Sequence, residues 1–217
     1  LKQMLPRKGF QTVNIHNNCK KLGIKCPKIY YSHDFHIYTI LECEYITGCD
    51  LMDTILLGKK LPVMYIMEKL ILKVNAYQKH NLSHLDIKPE NIIWDETTKT
   101  VSIIDYESMK YHWWWGSKPV NSPVGTMSYL SPEIYNHSVY HKNTDLWNIG
   151  MIGLVLTLNY NPLYDERIKR EKLQKYARLK LTKLNTDHKL IKLICSLLHP
   201  NPKYRSVGKN NMSCILS

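Results

Sequence analysis

The alternation of apolar and polar residues divides the chain into a strand-rich first part and a longer helical part. Residues 27–31 and 37–46 are short runs rich in β-branched and aromatic residues, as is typical of strands. From Pro62 onward, apolar residues recur at helical spacing for about five turns, and proline is well tolerated in a first helical turn. The pattern therefore predicts strands followed by helices, an α+β arrangement.

The second half of the chain contains a predicted hairpin, an irregular segment and further helices. The apolar runs 92–94 and 101–104 are separated by polar residues and predict the hairpin. The irregular stretch that follows is rich in glycine and proline, and it is long enough to be a candidate functional loop. Three helices are then predicted, at residues 144–158, 166–184 (a basic amphipathic helix or pair of helices) and 187–199.

The composition gives the net charge of the chain and indicates its cellular compartment. The 217 residues carry 30 Lys and Arg against 18 Asp and Glu, and the resulting net charge of +12 favours acidic partners. The six cysteines form no C-x-x-C pair and no leader precedes them, so we expect free thiols in a reducing, intracellular compartment. No apolar run could span a bilayer, so we expect a soluble chain without a membrane partner. Because the chain starts at Leu1 instead of Met, we also expect a fragment or a processed product.

A dense group of chemically active residues lies between the long helix and the hairpin, in the sequence HLDIKPEN at residues 84–91. Asp105 follows fourteen residues after Asn91, at the end of the second hairpin strand. Phosphoryl transfer from a nucleotide needs a carboxylate at the attacking hydroxyl, a cation near the transferred group and oxygen ligands for magnesium. All three kinds of group are present here.

The order of motifs along the chain resembles the eukaryotic-type serine/threonine protein kinase superfamily. In that family a catalytic loop, a magnesium-binding DFG, an activation segment and a closing APE follow one another. The corresponding segments here are HLDIKPEN, DYE at 105–107, SPE at 131–133, the D-x-W-x-x-G pattern at 145–150 and a hinge-like CEYITGCDL at 43–51.

The resemblance implies a bilobal fold of the α+β class. Residues 1–45 would form a truncated N-terminal lobe that runs from its third strand to the hinge and lacks the glycine-rich phosphate loop. Residues 46–217 would form a complete, mainly helical C-terminal lobe, with the activation segment at 105–133. Within that lobe, Arg205 would form an ion pair with Glu133 of the SPE motif.

The same resemblance implies ATP and magnesium as cofactors and gives roles to the residues of the catalytic loop. Asp86 would accept or orient the proton of the substrate hydroxyl, and Lys88 would stabilise charge on the moving phosphoryl group. Asn91 and Asp105 would hold magnesium. Thr126 would hydrogen-bond toward Asp86 and Lys88, a feature that matches the serine/threonine branch.

Residues around the hinge would bind the nucleotide by the same resemblance. Cys43 stands at the gatekeeper position, and the backbone at Glu44 and Ile46 would meet adenine. Ile93 would pack beneath the base, and Asp50 would reach the ribose.

Lys2 is the candidate for the lysine that grips the α- and β-phosphates, because LKQM looks like the tail of the third strand. In the family its partner is a glutamate on the following helix. No acidic residue precedes Asp34, and Asn14 or Asn17 occupies the expected region. Lys2 would therefore lack its usual ion pair unless another carboxylate substitutes.

Two further departures from the family lie in the activation segment and the catalytic loop. Glu107 replaces the glycine of DFG, which affects the switching backbone more than the metal site, because glycine alone freely adopts positive φ. Leu85 replaces the arginine that docks a phosphate on the activation loop. This loss argues against control by phosphorylation, so substituting Ser117 or Ser122 should leave activity largely unchanged.

Three segments, IKCPKIYY, CEYITGCDLMD and IIDYE, also resemble the short protein kinase 1 family of baculoviruses. This narrower resemblance implies a virus-encoded enzyme that acts on protein substrates in the host cytoplasm or nucleus. Very basic nucleoproteins are one candidate substrate.

Two other functions stay open at this stage. A pseudokinase or kinase-mimic that binds another kinase or a second copy of itself would explain the missing glycine loop and helix glutamate. The tryptophans at 113–115 would give it a docking surface, although packing within the activation segment is the favoured interpretation. A small-molecule phosphotransferase can share H-x-D, but the SPE motif and Thr126 count against it. No nucleic-acid motif accompanies the basic segment 166–192, so direct nucleic-acid binding is not expected.

Overall fold

The computed structural model describes residues 1–112, 117–120, 124–165 and 167–207. The tryptophans at 113–115 and Ser122, both singled out from the sequence, lie outside these residues. Within the described part, no helix is long and apolar enough to cross a bilayer. The described cysteines carry free thiols, as predicted, at Cys19, Cys26, Cys43, Cys49 and Cys195.

The first part of the chain combines short strands with one long helix, and helices make up most of the second part, so the mixed content of the α+β prediction is confirmed. The strands, in chain order, are β1 (Lys2–Met4), β2 (Ile29–Asp34), β3 (Thr39–Cys43), β4 (Cys49–Asp50), β5 (Leu82–Ser83), β6 (Ile92–Asp95), β7 (Thr100–Ile103), β8 (Lys110–Tyr111), β9 (Lys118–Pro119) and β10 (Val139–Tyr140). The helices are α1 (Pro6–Lys21), α2 (Leu51–Leu56), α3 (Val63–Lys79), α4 (Pro132–His137), α5 (Thr144–Leu158), α6 (Leu173–Lys183) and α7 (His188–Leu197).

The first part forms an antiparallel sheet in the order β1–β3–β2, with α1 packed against β2 and β3. Gly9 permits the close approach of α1, because a Cβ at this position would lie 2.5 Å from the Cβ of Thr39. Both predicted strands are confirmed, although β2 begins and ends later than predicted. It continues to Asp34, whose carboxylate accepts a hydrogen bond of 2.7 Å from the Thr39 hydroxyl across the turn.

The predicted hairpin is also confirmed. β6 and β7 pair in antiparallel fashion with Ile92 opposite Ile103, and β4 adds to the other edge of β6. Asp95 holds the turn of the hairpin, because its Oδ1 accepts the backbone N–H of Thr97 at 2.9 Å. The hairpin therefore gives a fixed support to residues 84–91, which precede it.

The helical part is built around α5, in which every residue from Thr144 to Leu156 is buried. Helices α3 and α7 pack against α5, and α6 packs against α7. The prediction of a helix at 144–158 is confirmed at both ends. A helix that is apolar on all sides is stable in water only when other elements cover it completely, which is the position that α5 holds.

The helical prediction for residues 166–184 holds only for its second part. A 3₁₀ turn at Arg170–Lys172 precedes α6, which begins at Leu173. Upstream, the Asp165 carboxylate accepts bonds of 3.1 Å and 2.9 Å from the backbone N–H and the guanidinium of Arg167. These local bonds favour a turn over a helical start.

Two short strand pairs attach the chain between β7 and α4 to the helical part. β8 pairs with β5, and β9 pairs with β10. Leu85, Val124, Ile134 and Tyr140 form an apolar cluster of their own beside these pairs. Residues 84–91 are thus bordered by elements that come from distant parts of the chain.

Candidate active site

The loop at residues 84–91 is held by a buried aspartate at the start of α5. The Asp145 carboxylate accepts the backbone N–H of His84 at 2.7 Å and that of Leu85 at 2.8 Å. Burial raises the pKa of Asp145 to about 6, while the two N–H bonds act in the opposite direction. Leu85 has a φ of +68°, a left-handed conformation that costs about 1–2 kcal/mol for an ordinary residue. The paired bonds to Asp145 offset this cost and fix the direction in which the loop leaves β5.

Asp86, Lys88 and Thr126 form a hydrogen-bonded set at the centre of the loop. The Thr126 hydroxyl donates to Asp86 Oδ1 at 2.9 Å and accepts from Lys88 Nζ at 2.8 Å. Lys88 Nζ also lies 3.6 Å from Asp86 Oδ2. The predicted contact of Thr126 with both residues is therefore confirmed. Asn91 joins the set, because its Nδ2 donates to the backbone oxygen of Asp86 at 2.9 Å.

Gly125 brings Thr126 up to the loop. Its φ is +90°, and a Cβ at this position would lie 2.6 Å from the carbonyl oxygen of Leu85. A side chain at residue 125 would meet both the backbone strain and this contact. The activation segment can therefore approach the catalytic loop this closely because residue 125 is glycine.

Asp105 lies at the end of β7 and faces Lys2. Lys2 Nζ is 2.5 Å from Asp105 Oδ1 and 3.8 Å from Glu107 Oε2. Burial would raise the pKa of Asp105, but the hydrogen bond and charge of Lys2 outweigh it, so the pKa lies below its ordinary value. An ionised carboxylate is the ligand that a hard cation such as magnesium prefers. The donor set thus fits the predicted metal, with the carboxylate of Asp105 and the amide oxygen of Asn91 as ligands.

A cavity of about 470 Å³ opens beside this set, within the range of small-molecule sites. Seven of the predicted site residues line it: Lys2, Cys43, Glu44, Ile46, Ile93, Asn91 and Asp105. Leu41 and Ile104 add apolar surface. Burial raises the pKa of the Cys43 thiol and so keeps it protonated and weakly polar at neutral pH.

Asp50 does not line this cavity. Its carboxylate instead accepts the backbone N–H of Asp53 at 2.8 Å and caps the N-terminus of α2. Its predicted contact with the ribose stays a prediction.

The face of α1 that looks into the cavity differs from the one expected. Asn14 and Asn17 are exposed, whereas Thr12 and His16 are buried and line the cavity. The prediction that an asparagine takes the place of the helix glutamate is therefore wrong. It assumed a fixed distance along the chain, but the face of a helix is set by a spacing of three and four residues.

Two features of the site escaped the sequence reasoning. One is the ion pair between Lys8 Nζ and Glu107 Oε1. The other is Asp145, whose carboxylate accepts two backbone hydrogen bonds from the loop. Lys8 lies four residues before Thr12 and so on the same face of α1. That spacing places Lys8 on the same side of the helix as Thr12, but it does not indicate Glu107 as the partner of Lys8.

The predicted ion pair at the end of the activation segment is confirmed. Arg205 donates through both terminal nitrogens to the two carboxylate oxygens of Glu133, each at 2.6 Å. Both side chains are buried, and the Thr144 hydroxyl adds a bond of 2.8 Å to Glu133. The pair ties α4 to the chain that follows α7.

Comparison with protein families identifies the class that this fold and site define. A protein kinase domain matches residues 6–213, so the chain belongs to the protein kinase family. The predicted kinship with eukaryotic-type serine/threonine kinases is confirmed by the relatives described next.

The chain is similar to the calcium/calmodulin-dependent protein kinase type 1 of Caenorhabditis briggsae, with 28% identity over 157 residues that cover 70% of this chain and 41% of that protein. It is 30% identical to the human serine/threonine-protein kinase DCLK3 over 139 residues, covering 61% of this chain and 20% of that one. It is 26% identical to the probable serine/threonine-protein kinase HSL1 of Saccharomyces cerevisiae over 173 residues, covering 78% and 11%. The chain thus spans less than half the length of these relatives.

Proposed function

We propose that the chain is a serine/threonine protein kinase that transfers the γ-phosphate of ATP to a protein hydroxyl. The observation that carries the proposal is the bonded set of Asp86, Thr126 and Lys88, with Asn91 joined to it. A carboxylate, an ammonium cation and a side-chain amide are held together there by contacts of 2.8–2.9 Å. This is the group of functions that phosphoryl transfer requires.

Asp86 is the residue that meets the substrate hydroxyl in this proposal. Its Oδ1 accepts from Thr126, and its Oδ2 lies 3.6 Å from Lys88 Nζ. These contacts fix the direction of the carboxylate, so that it can orient the hydroxyl and take its proton during transfer. Lys88 donates to the Thr126 hydroxyl at 2.8 Å, forms an ion pair with the same carboxylate and stabilises the charge of the transferred phosphoryl.

Asn91 and Asp105 are the residues that would hold magnesium. The amide nitrogen of Asn91 donates to Asp86, which leaves the amide oxygen as the atom for a cation. The lowered pKa of Asp105 keeps its carboxylate ionised. When bound, magnesium neutralises the negative charge of the phosphates. Lys2 adjoins Asp105 and would grip the phosphates that precede the transferred one.

The adenine base would enter the apolar end of the cavity. The backbone N–H of Glu44 already donates to the carbonyl of Lys28 at 2.7 Å, so the carbonyl oxygen of Glu44 is its free atom for the base. The backbone of Ile46 is the second contact, with Cys43 as gatekeeper and Ile93 against the ring. Asp50 is the candidate for the ribose.

Magnesium-dependent ATP turnover on a basic protein substrate tests the proposal. We expect turnover by the wild-type chain or its longest natural form, and loss of turnover in the Asp105→Asn variant. Asp53→Asn is a matched control, because Asp53 is exposed and lies outside the cavity. Absence of turnover, together with absence of any stabilisation against heat by ATP, would contradict the proposal.

The alternative of a non-catalytic pseudokinase rested on the missing glycine loop and the missing helix glutamate. The second argument loses weight, because Lys2 lies within 4 Å of two carboxylates. A protein substrate follows from the kinase proposal itself. The narrower assignments, a virus-encoded enzyme with basic nucleoprotein substrates, rest on the resemblance of three sequence segments alone.

A further inference from the structure

The helix that should supply the partner of Lys2 carries no acidic residue. The chain has no Asp or Glu before Asp34, and α1 ends well before that residue. The cavity side of α1 presents Thr12 and His16. Thr12 Oγ1 is buried and has no hydrogen-bond partner among the described residues. Because the helix has no acidic side chain, it offers no negative charge to balance Lys2.

Glu107 lies where a partner for Lys2 is needed, although it comes from the activation segment. Its Oε2 is 3.8 Å from Lys2 Nζ, and its Oε1 forms an ion pair with Lys8 Nζ. The two carboxylate oxygens are thus divided between a lysine of β1 and a lysine of α1. The Glu107 side chain is 21% exposed, so water screens these contacts only in part.

The contact between Lys2 and Glu107 would matter most when the Asp105 carboxylate binds magnesium. In this structure Lys2 Nζ lies closest to Asp105 Oδ1, at 2.5 Å. In the proposed enzyme the Asp105 carboxylate shares its charge with magnesium, which weakens its hold on Lys2. Among the described residues, Glu107 is then the remaining carboxylate within 4 Å of Lys2.

We propose that Glu107 is a positioning residue for Lys2. Glu107 belongs to the activation segment, and it has the role that a glutamate on the helix has in other kinases. The inference rests on the proposed function, since it concerns the lysine assigned to the phosphates. The order of charges is reversed: α1 contributes the cation Lys8, and the activation segment contributes the anion. Lys8 fastens the Glu107 carboxylate to α1 and so couples the helix to β1 through one shared side chain.

The decisive variant is Glu107→Gln, which keeps the shape of the side chain and removes its charge. We expect the KM for ATP and the calorimetric Kd for magnesium-ATP to rise about tenfold, because Lys2 loses one partly screened charge contact. We expect the melting temperature of the nucleotide-free protein to stay within about 2 °C of wild type, because the contact is partly solvent-exposed. Glu96→Gln is the matched control, since Glu96 is exposed and outside the cavity.

A second variant returns the carboxylate to the helix. Thr12 lines the cavity on the face of α1 that also carries Lys8, so Thr12→Glu in the Glu107→Gln background should restore the KM for ATP to within about threefold of wild type. A KM that stays at the level of Glu107→Gln would show that the missing carboxylate is not the cause, and it would overturn the proposal.

The remaining outcomes separate this inference from the proposed function. If Glu107→Gln and Glu96→Gln behave alike while Lys2→Met loses turnover, the chain is a kinase and Glu107 does not position Lys2. If the wild-type protein turns over no substrate but binds ATP, the Kd values alone decide the role of Glu107. If it neither turns over substrate nor binds ATP, the proposed function fails and this inference fails with it.

Discussion

At the scale of single residues, three residues in or beside the site have a positive φ. Leu85 and Asp105 have φ values of +68° and +64°, and Gly125 has a φ of +90°. Such conformations cost an ordinary residue about 1–3 kcal/mol and persist where surrounding contacts hold them. The contacts here are the bonds from Asp145 to the loop and from Lys2 to Asp105. Strain is therefore stored at Asp105, which the proposed chemistry uses, and at Leu85, which directly precedes Asp86.

Gly125→Ala tests the importance of the close approach between the activation segment and the loop. A Cβ at residue 125 would lie 2.6 Å from the carbonyl oxygen of Leu85, so it would push Thr126 away from Asp86. We expect kcat/KM to fall by about tenfold or more, because small misplacements in a catalytic group have such effects. Gly58→Ala is the control: its φ is also positive, at +66°, but nothing lies within 4 Å. Equal kinetics for the two variants would contradict the argument.

The sequence could predict those site residues whose type and spacing belong to a single motif. Asp86, Lys88 and Asn91 lie within six residues, and the structure joins them as expected. The pair of Lys8 and Glu107 could not be predicted in this way. Its members are 99 residues apart, and the contact depends on how α1 docks on the sheet, which leaves no periodic signal in the chain.

At the scale of elements, the activation segment is held by apolar packing. Leu85 is 1% exposed and forms a cluster with Val124, Ile134 and Tyr140. Val124 comes from the activation segment, Ile134 from α4 and Tyr140 from β10. In the family an arginine at the position of Leu85 holds a phosphate on this segment. Here Leu85 packs instead against Val124 of this segment, within the apolar cluster.

Ser117→Ala and Leu85→Ala are expected to differ sharply. Ser117 is exposed, so its loss should leave kcat/KM within about twofold of wild type. Leu85→Ala removes a buried side chain from the cluster and should lower the free energy of unfolding by about 2–5 kcal/mol, with a matching loss of activity. Urea denaturation and turnover measure the two effects. A large loss of activity in Ser117→Ala would mean that phosphorylation controls the segment after all.

The ion pair of Arg205 and Glu133 is the second link that fixes the activation segment. Arg205→Met should lower the free energy of unfolding by about 3–5 kcal/mol, because Glu133 would then be a buried charge without its cation. Urea denaturation of the single and double variants measures this cost. The double variant Arg205→Met with Glu133→Gln should recover part of it. Full additivity of the two single variants would show that they do not interact in this way.

At the scale of the whole molecule, buried histidines make stability depend on pH. Burial lowers the pKa of His84 and of His112 from 6.5 to about 4. Between these values the unfolded chain binds more protons than the folded one, so stability is lost as the pH falls through this window. Asp145 acts in the opposite direction, because burial raises its pKa from 3.8 to about 6. The combined effect of the two histidines on the free energy of unfolding is larger than the opposite effect of the one aspartate.

The free energy of unfolding should therefore fall by roughly 3 kcal/mol between pH 7 and pH 4. Urea denaturation at four pH values across this range measures the slope. The His112→Asn variant should have a shallower slope, because one of the histidines whose pKa is lowered by burial is gone. A slope identical to that of the wild-type protein would remove His112 from the explanation.

The fold as a whole could be predicted where burial is complete and less well where it is partial. Helix α5 is covered on all sides, so its continuous apolar run predicted both ends of the helix correctly. The start of α6 could not be predicted, because the turn between Asp165 and Arg167 depends on side-chain bonds of an exposed segment. The apolar pattern did not predict helix α1, although the family resemblance implied a helix in this region, since the apolar face of α1 is narrow and its contacts lie on the sheet.

The bridge that Glu107 makes between Lys2 and Lys8 has a consequence for how this sequence can drift over evolutionary time. A change to glycine at residue 107 would leave both lysines without that carboxylate, so it is tolerable only beside a compensating change on α1. Closely related sequences should therefore fall into two groups. One group keeps an acid at residue 107 and a base at residue 8, and the other combines glycine at 107 with an acid on the cavity face of the helix.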